Sequence, residues 1–147
     1  MVMSNTGGHD VLNRLLRGEL AATETYEMAV SKVGSEPQAA DLRRLHDDHR
    51  SAANELRQHI HLHGARPAQD AGSWSAWAKT VEGAATIFGN VAAVKALKEG
   101  EEHGITDYED ALNDPKLAGD CKELIRKHLL PQTRSHIPVL DGFIAAQ

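Results

Sequence analysis

The sequence predicts an all-α protein of four principal helices, with a long crossover carrying a short extra helix between the second and third. Three observations carry that expectation. Apolar residues recur at intervals of three and four along most of the chain, and no strand-period segment of any length competes with them. Aromatic residues make up only 4% of the chain while Ala and Leu are plentiful, a balance that leans towards helix. Gly, Pro and Asn punctuate the pattern at helix-length intervals.

Asp10 suits an N-cap for the first helix, which Gly34 would stop. Its stripe runs Leu12, Leu15, Leu16, Glu19, Thr23, Tyr26, Val30 and Val33, with a carboxylate in the middle. The second helix opens at Ser35, where Gln38 completes a capping box and Pro37 sits in the first turn. Its stripe is Leu42, Leu45, His49, Ala52, Ala53, Leu56 and Ile60, ending at Gly64, and His49 is the polar intruder. GARPAQDAGS then reads as an exposed, turn-rich segment. A shorter helix from Ser73 to Gly89 follows, with Trp74 and Trp77 pinning it to the bundle or to a second subunit.

Asn90 can cap the next helix, which runs to about Leu112 on the stripe Val94, Leu97, Glu101, Ile105, Tyr108 and Leu112. After a break at Asn113, Asp114 and Pro115, the last helix carries Leu117, Cys121, Leu124, Ile125, Leu129, Gln132, His136, Leu140 and Phe143. Pro131 and Pro138 each remove a backbone donor from it, so a kink is expected there. Residues 1–9 read as a flexible N-terminus, and 1–147 as one domain.

The totals exclude several classes of function. Net charge is −5 with no basic run, which argues against nucleic acid or an anionic membrane as the main partner. No apolar run approaches the roughly 18 residues of a membrane helix, and MVMSNTGGHD lacks a signal-peptide core. The single cysteine, Cys121, rules out an internal disulfide and a Cys-rich metal site. A cytoplasmic location is expected. No Gly-rich phosphate loop, nucleophile elbow or Cys-x-x-Cys is present, which leaves hydrolase and nucleotide-binding readings without support.

One phrase occurs twice: GELAATETYEMAV from residue 18 and GEEHGITDYEDAL from residue 100. Superposing His49 on His136 extends the echo, so that each half becomes a helical hairpin bringing one inward Glu and one inward His. Two such hairpins packed together carry Glu19, His49, Glu101 and His136 towards a pseudo-twofold axis. A carboxylate in an apolar core is costly unless paired or bound to a cation. Two carboxylates and two imidazoles suit a divalent ion of the iron, manganese or zinc kind. The plainer alternative is a metal-free set of core ion pairs and hydrogen bonds.

On the residues RGELAATETYE, LHDDHRSAANEL, LKEGEEHGITDYEDAL and LLPQTRSHI, the chain resembles the ferritin-like superfamily. It is most similar to a family of small bacterial four-helix-bundle proteins catalogued as a domain of unknown function. The resemblance implies an antiparallel four-helix bundle, a centre of one or two ions (iron first, then manganese or zinc), and Glu19, Glu101, His49 and His136 as ligands. Ferritin-like centres carry a Glu three residues before each His; here those positions hold His46 and Thr133. Three repairs stay open: His46 as an extra nitrogen ligand, Glu102 reaching in by a small helix rotation, or a single ion on two Glu and two His.

Tyr26 and Tyr108 lie one heptad, about 10.5 Å, along the stripe from Glu19 and Glu101. They could bond a ligand carboxylate from outside or carry an electron, though packed tyrosines with satisfied hydroxyls are the plainer reading. His59 and His63 have the i, i+4 spacing of a surface chelate, but exposed histidines near a helix C-terminus explain them as well. Cys121 reads as a small buried thiol. Gly18 and Gly100, each preceding a stripe Glu, suggest close helix approach. Two functions follow: a metal-binding, oxidase-like or peroxide-consuming protein of metal or oxidative stress, with dioxygen or peroxide as partner, or a structural or interaction module. A homodimer fits the resemblance, since such bundles commonly pair.

Overall fold

The computed structural model describes residues 6–33 and 36–146. Among these every regular element is helical. Helix α1 spans Thr6–Val33 and α2 Glu36–Leu62; a 3₁₀ turn at Gly72–Ser75 leads into α3, Ala76–Phe88. Helix α4 covers Asn90–Leu112. The C-terminal run is α5, Gly119–Leu124, a π turn over Ile125–Leu129, and α6, Leu130–Ala145. No helix among the described residues is long and apolar enough to cross a membrane.

Two apolar clusters show how the long helices run. One gathers Leu12 and Leu16 of α1, Leu56 and Ile60 of α2, Ala111 of α4, and Ile125 and Leu129 of the π turn. The other gathers Ala29 of α1, Leu42 and Leu45 of α2, Val94 and Leu97 of α4, and Leu140 and Phe143 of α6. Helix α1 therefore runs from the first cluster to the second and α2 returns. Helix α4 runs the same way as α2, so the chain must cross the length of the molecule between them, and the segment carrying α3 does so. Asn13 of α1 secures the start of that crossover, donating from Nδ2 to the Arg66 carbonyl at 3.2 Å and accepting from the Ala68 amide at 2.7 Å. Val81 of α3 is fully buried in the second cluster. Each fully buried Leu, Ile or Val contributes about 1.5–3 kcal/mol relative to exposure.

Helix ends depart from expectation in instructive ways. Asp10 lies inside α1, which begins at Thr6, so residues 6–9 are helical rather than a flexible lead. The expected stop at Gly34 and cap at Ser35 fall outside the described residues. Gly64 ends α2 with φ 77°, a left-handed conformation that costs Gly no Cβ clash. Gly89, at φ 90°, takes the junction before α4, and Asn90 becomes the first helical residue rather than its cap.

Neither proline breaks the last helix. An α turn before Pro131 would drive its ring into a preceding carbonyl. The chain instead widens into the π turn just upstream, where the Leu130 amide bonds the Ile125 carbonyl. Helix α6 then continues through Pro138. Thr133, rather than Gln132, takes the buried place on the inward stripe, and its hydroxyl donates to the Leu129 carbonyl at 2.8 Å.

Candidate metal centre

Between the two apolar clusters lies a polar layer. Glu19 falls between Leu16 and Tyr26 on α1, His49 between Leu45 and Ala52 on α2, Glu101 between Leu97 and Tyr108 on α4, and His136 between Leu130 and Leu140 on α6. All four are buried, at 5, 4, 3 and 2% exposure, which no unpaired charge would tolerate.

The contacts follow the repeat and cross it. His49 Nδ1 donates to Glu19 Oε2 at 2.6 Å, and its Nε2 donates to Glu101 Oε2 at 2.8 Å. His136 Nδ1 lies 3.1 and 3.2 Å from the two Glu101 oxygens. Each tyrosine hydroxyl reaches over to the other half. Tyr26 of α1 donates to Glu101 Oε2 at 2.5 Å, and Tyr108 of α4 donates to Glu19 Oε1 at 2.6 Å. The rings pack as well: Tyr26 stacks on His49 at 5.2 Å, and His49 meets His136 edge-on at 4.9 Å.

These contacts set the charges. Burial would lower the His49 pKa, but Glu101 and Glu19 override it and hold the ring well above its ordinary value, as imidazolium. Burial would raise Glu101; the positive charge of His49 and the hydrogen bonds of His136 and His49 bring it down to about 2. Tyr26 and Tyr108 are pushed well above 10, first by burial and then by the carboxylates they bond, so both are protonated donors.

Asp48 is the participant that sequence reasoning missed. Its Oδ2 takes the far nitrogen of His136, Nε2, at 2.9 Å, although the carboxylate is half-exposed. The signal available was the doublet Asp47–Asp48 beside an inward His: one residue is about 100° of helix turn, which puts Asp48 on the flank facing α6. The two imidazoles now match. Each turns one nitrogen to Glu101 and the other to an outer carboxylate, Glu19 for His49 and Asp48 for His136.

His49, Glu101 and His136 each offer a ligand atom within 4.8 Å of the others. Glu19 stands behind His49, on the nitrogen facing away from Glu101. His46 turns to Asp47 at 3.1 Å, and Glu102 is exposed, so neither joins the group. The donor set of two imidazoles and a carboxylate suits iron, manganese or zinc. In metal-free form the same atoms satisfy one another.

A cavity of about 170 Å³ opens onto this layer between α1 and α4. Glu19, Glu101 and His49 line its floor, and Trp74 and Trp77 of the crossover line its outer side. Trp74 rests against His103 with ring centroids 4.6 Å apart. The paired glycines divide in role. A methyl group on Gly100 would come within 2.8 Å of the Trp77 indole nitrogen, whereas one on Gly18 would meet nothing within 4 Å. Both line the cavity, and close approach explains Gly100 alone.

Fold and site together define an all-helical protein with a buried, carboxylate-oriented histidine pair. The chain belongs to the family described as Domain of unknown function (DUF2383), whose model matches residues 9–114. Neither a search of curated proteins nor one of solved structures gave a match.

Proposed function

We propose that this is a metal-binding protein of ferritin-like construction, holding one transition-metal ion, iron first and manganese or zinc next, on His49, Glu101 and His136. The observation that carries the reading is the convergence of three buried ligand atoms within 4.8 Å. A carboxylate behind each imidazole supports it. That pairing orients ligating histidines in metal sites and raises their basicity. Helix direction supports the ferritin-like construction too, since two hairpins joined by a full-length crossover present matching faces.

A redox-active ion here would supply electron exchange with dioxygen or peroxide, in metal or oxidative stress. The chain's own residues do the rest. Glu19 and Asp48 hold the rings, Tyr26 pins Glu101, and Tyr108 pins Glu19. The cavity has room for a diatomic molecule or peroxide, and Trp74 and Trp77 line it.

A second reading, a metal-free structural bundle, has one observation in its favour. Among the described residues the buried side-chain polar atom without a partner is His9 Nε2, so the core group is fully satisfied as it stands. Elemental analysis after growth in metal-replete medium separates the two, comparing the protein with a Glu101→Gln/His136→Gln variant. About one equivalent of iron or manganese, lost in the variant, supports the metal reading and makes dioxygen and peroxide assays the next step. Equal metal content in the two folded proteins, with no ion of any kind lost in the variant, supports the structural one.

A further inference from the structure

His59, His63, Asp120 and Cys121 meet where the last turns of α2 pass the first turn of α5, well away from the core group. Helix-dipole arguments account for His at the end of one helix and Asp at the start of another. They do not account for a buried thiol aimed at both rings. Cys121 Sγ lies 3.8 Å from His59 Nδ1 and 3.5 Å from His63 Nε2. Asp120 Oδ2 lies 3.5 Å from His59 Nδ1 and 2.9 Å from His63 Nε2.

We propose that these four side chains form a Zn²⁺ site, closed by Cys121 Sγ, His59 Nδ1, His63 Nε2 and one Asp120 oxygen. A tetrahedral ion with bonds of about 2.3 Å to sulfur and about 2.0 Å to nitrogen or oxygen needs ligand edges of about 3.6 Å for S···N and about 3.3 Å for N···O. The distances above bracket those edges, and all four ligand atoms lie within 4.8 Å of one another. Those four edges therefore meet an ion with shifts of a few tenths of an ångström, and the His59–His63 and Cys121–Asp120 edges close from within 4.8 Å. Thiolate with two imidazoles selects zinc over magnesium, calcium or manganese, which prefer oxygen.

Four protein ligands leave no open position, so the ion is structural. It clips the end of α2 to the start of the C-terminal helical run across everything between them. Asp120 is half in water and the histidines are partly exposed, so the ion enters without unfolding the protein. Two of the four ligands lie beyond residue 114, where the family match ends.

The test strips the protein with a chelator and titrates Co²⁺, then Zn²⁺, into wild type, Cys121→Ser and His63→Ala. The core group contains no sulfur, so a thiolate-to-cobalt charge-transfer band reports this site alone. The expected result is that band at one equivalent in wild type, its loss in Cys121→Ser, and its displacement by zinc. Zinc affinity should fall about 100-fold or more in His63→Ala. Zinc at a hundredfold excess over this site's Kd should raise the Tm by about 9 °C more in wild type than in His63→Ala. Should Cys121→Ser fail to fold, His63→Ala and Asp120→Asn carry the test, since both positions reach solvent. A folded wild type with no charge-transfer band, or a band that zinc displaces no more tightly in wild type than in His63→Ala, overturns the proposal.

Discussion

The two histidine groups of this molecule solve the same electrostatic problem in opposite surroundings. In the core, His49 and His136 are nine-tenths buried or more, so each must find a carboxylate for both nitrogens. At the edge, His59 and His63 keep 22% side-chain exposure and share a single Asp120 that is 52% exposed. Burial makes the first group a charged network whose members depend on one another. Water relieves the second of that dependence, so its metal-free contacts should contribute little. The core group ought then to govern stability with or without an ion, while the edge group should matter only when one is bound.

The largest effect expected is from Glu101→Ala. It leaves His49 Nε2, His136 Nδ1 and the Tyr26 hydroxyl without their partner, a loss of about 3–5 kcal/mol for a broken buried pair, read as a lower urea midpoint. Replacement by Gln keeps the shape and should cost less, and an equal loss in both would mean that packing, not charge, dominates.

The pH dependence of the metal-free protein comes next. Glu101 sits at about 2 when folded against an ordinary 4.5. Its contribution, about 3 kcal/mol by linkage, is present above 4.5 and lost as pH falls through 2. His49 is raised above its ordinary 6.5. Its contribution is complete below 6.5 and disappears as pH rises through the elevated folded value. Unfolding midpoints across pH should therefore fall at both ends, and His49→Gln should flatten the alkaline side. A bound ion reverses that side, because it requires both rings deprotonated and leaves in acid.

Tyr26→Phe and Tyr108→Phe should each cost about 1.5–3 kcal/mol, the range for a hydrogen bond to a charged group. Similar losses would show that the two halves are energetically as well as geometrically matched. Gly18→Ala should add about 0.5–1 kcal/mol of helix stability, since nothing meets the new methyl, while narrowing the cavity; Gly100→Ala should lose stability against Trp77. Thermal melts of the pair measure the difference. Smallest of all, His63→Ala without metal should change stability by less than about 1 kcal/mol, as a half-exposed pair does.

Much of this is legible in the sequence. The bounds of α4 and the buried places of Glu19, His49, Glu101 and His136 follow from helical period alone, because a stripe's inward face does not depend on what packs against it. The end of α2 near Gly64 was equally readable from glycine's tolerance of positive φ. Pro131 was harder. The missing donor is visible in sequence, but whether the helix kinks or widens depends on keeping Ile125, Leu129 and His136 all inward, and a π turn does that. His46, three residues before His49, turns to Asp47 at 3.1 Å, a choice between neighbours that helical period does not specify.

By itself the sequence determined the helical class, the inward faces and the duplication that supplies one Glu and one His from each half. Only the tertiary structure decided which nitrogen meets which oxygen, that each tyrosine bonds the opposite half, that Asp48 stands behind His136, and that Cys121 reaches His59 and His63. The physical reason is that period specifies a direction from one helix axis. A contact depends on two axes, their separation and their rotation, which packing sets between residues far apart in the chain.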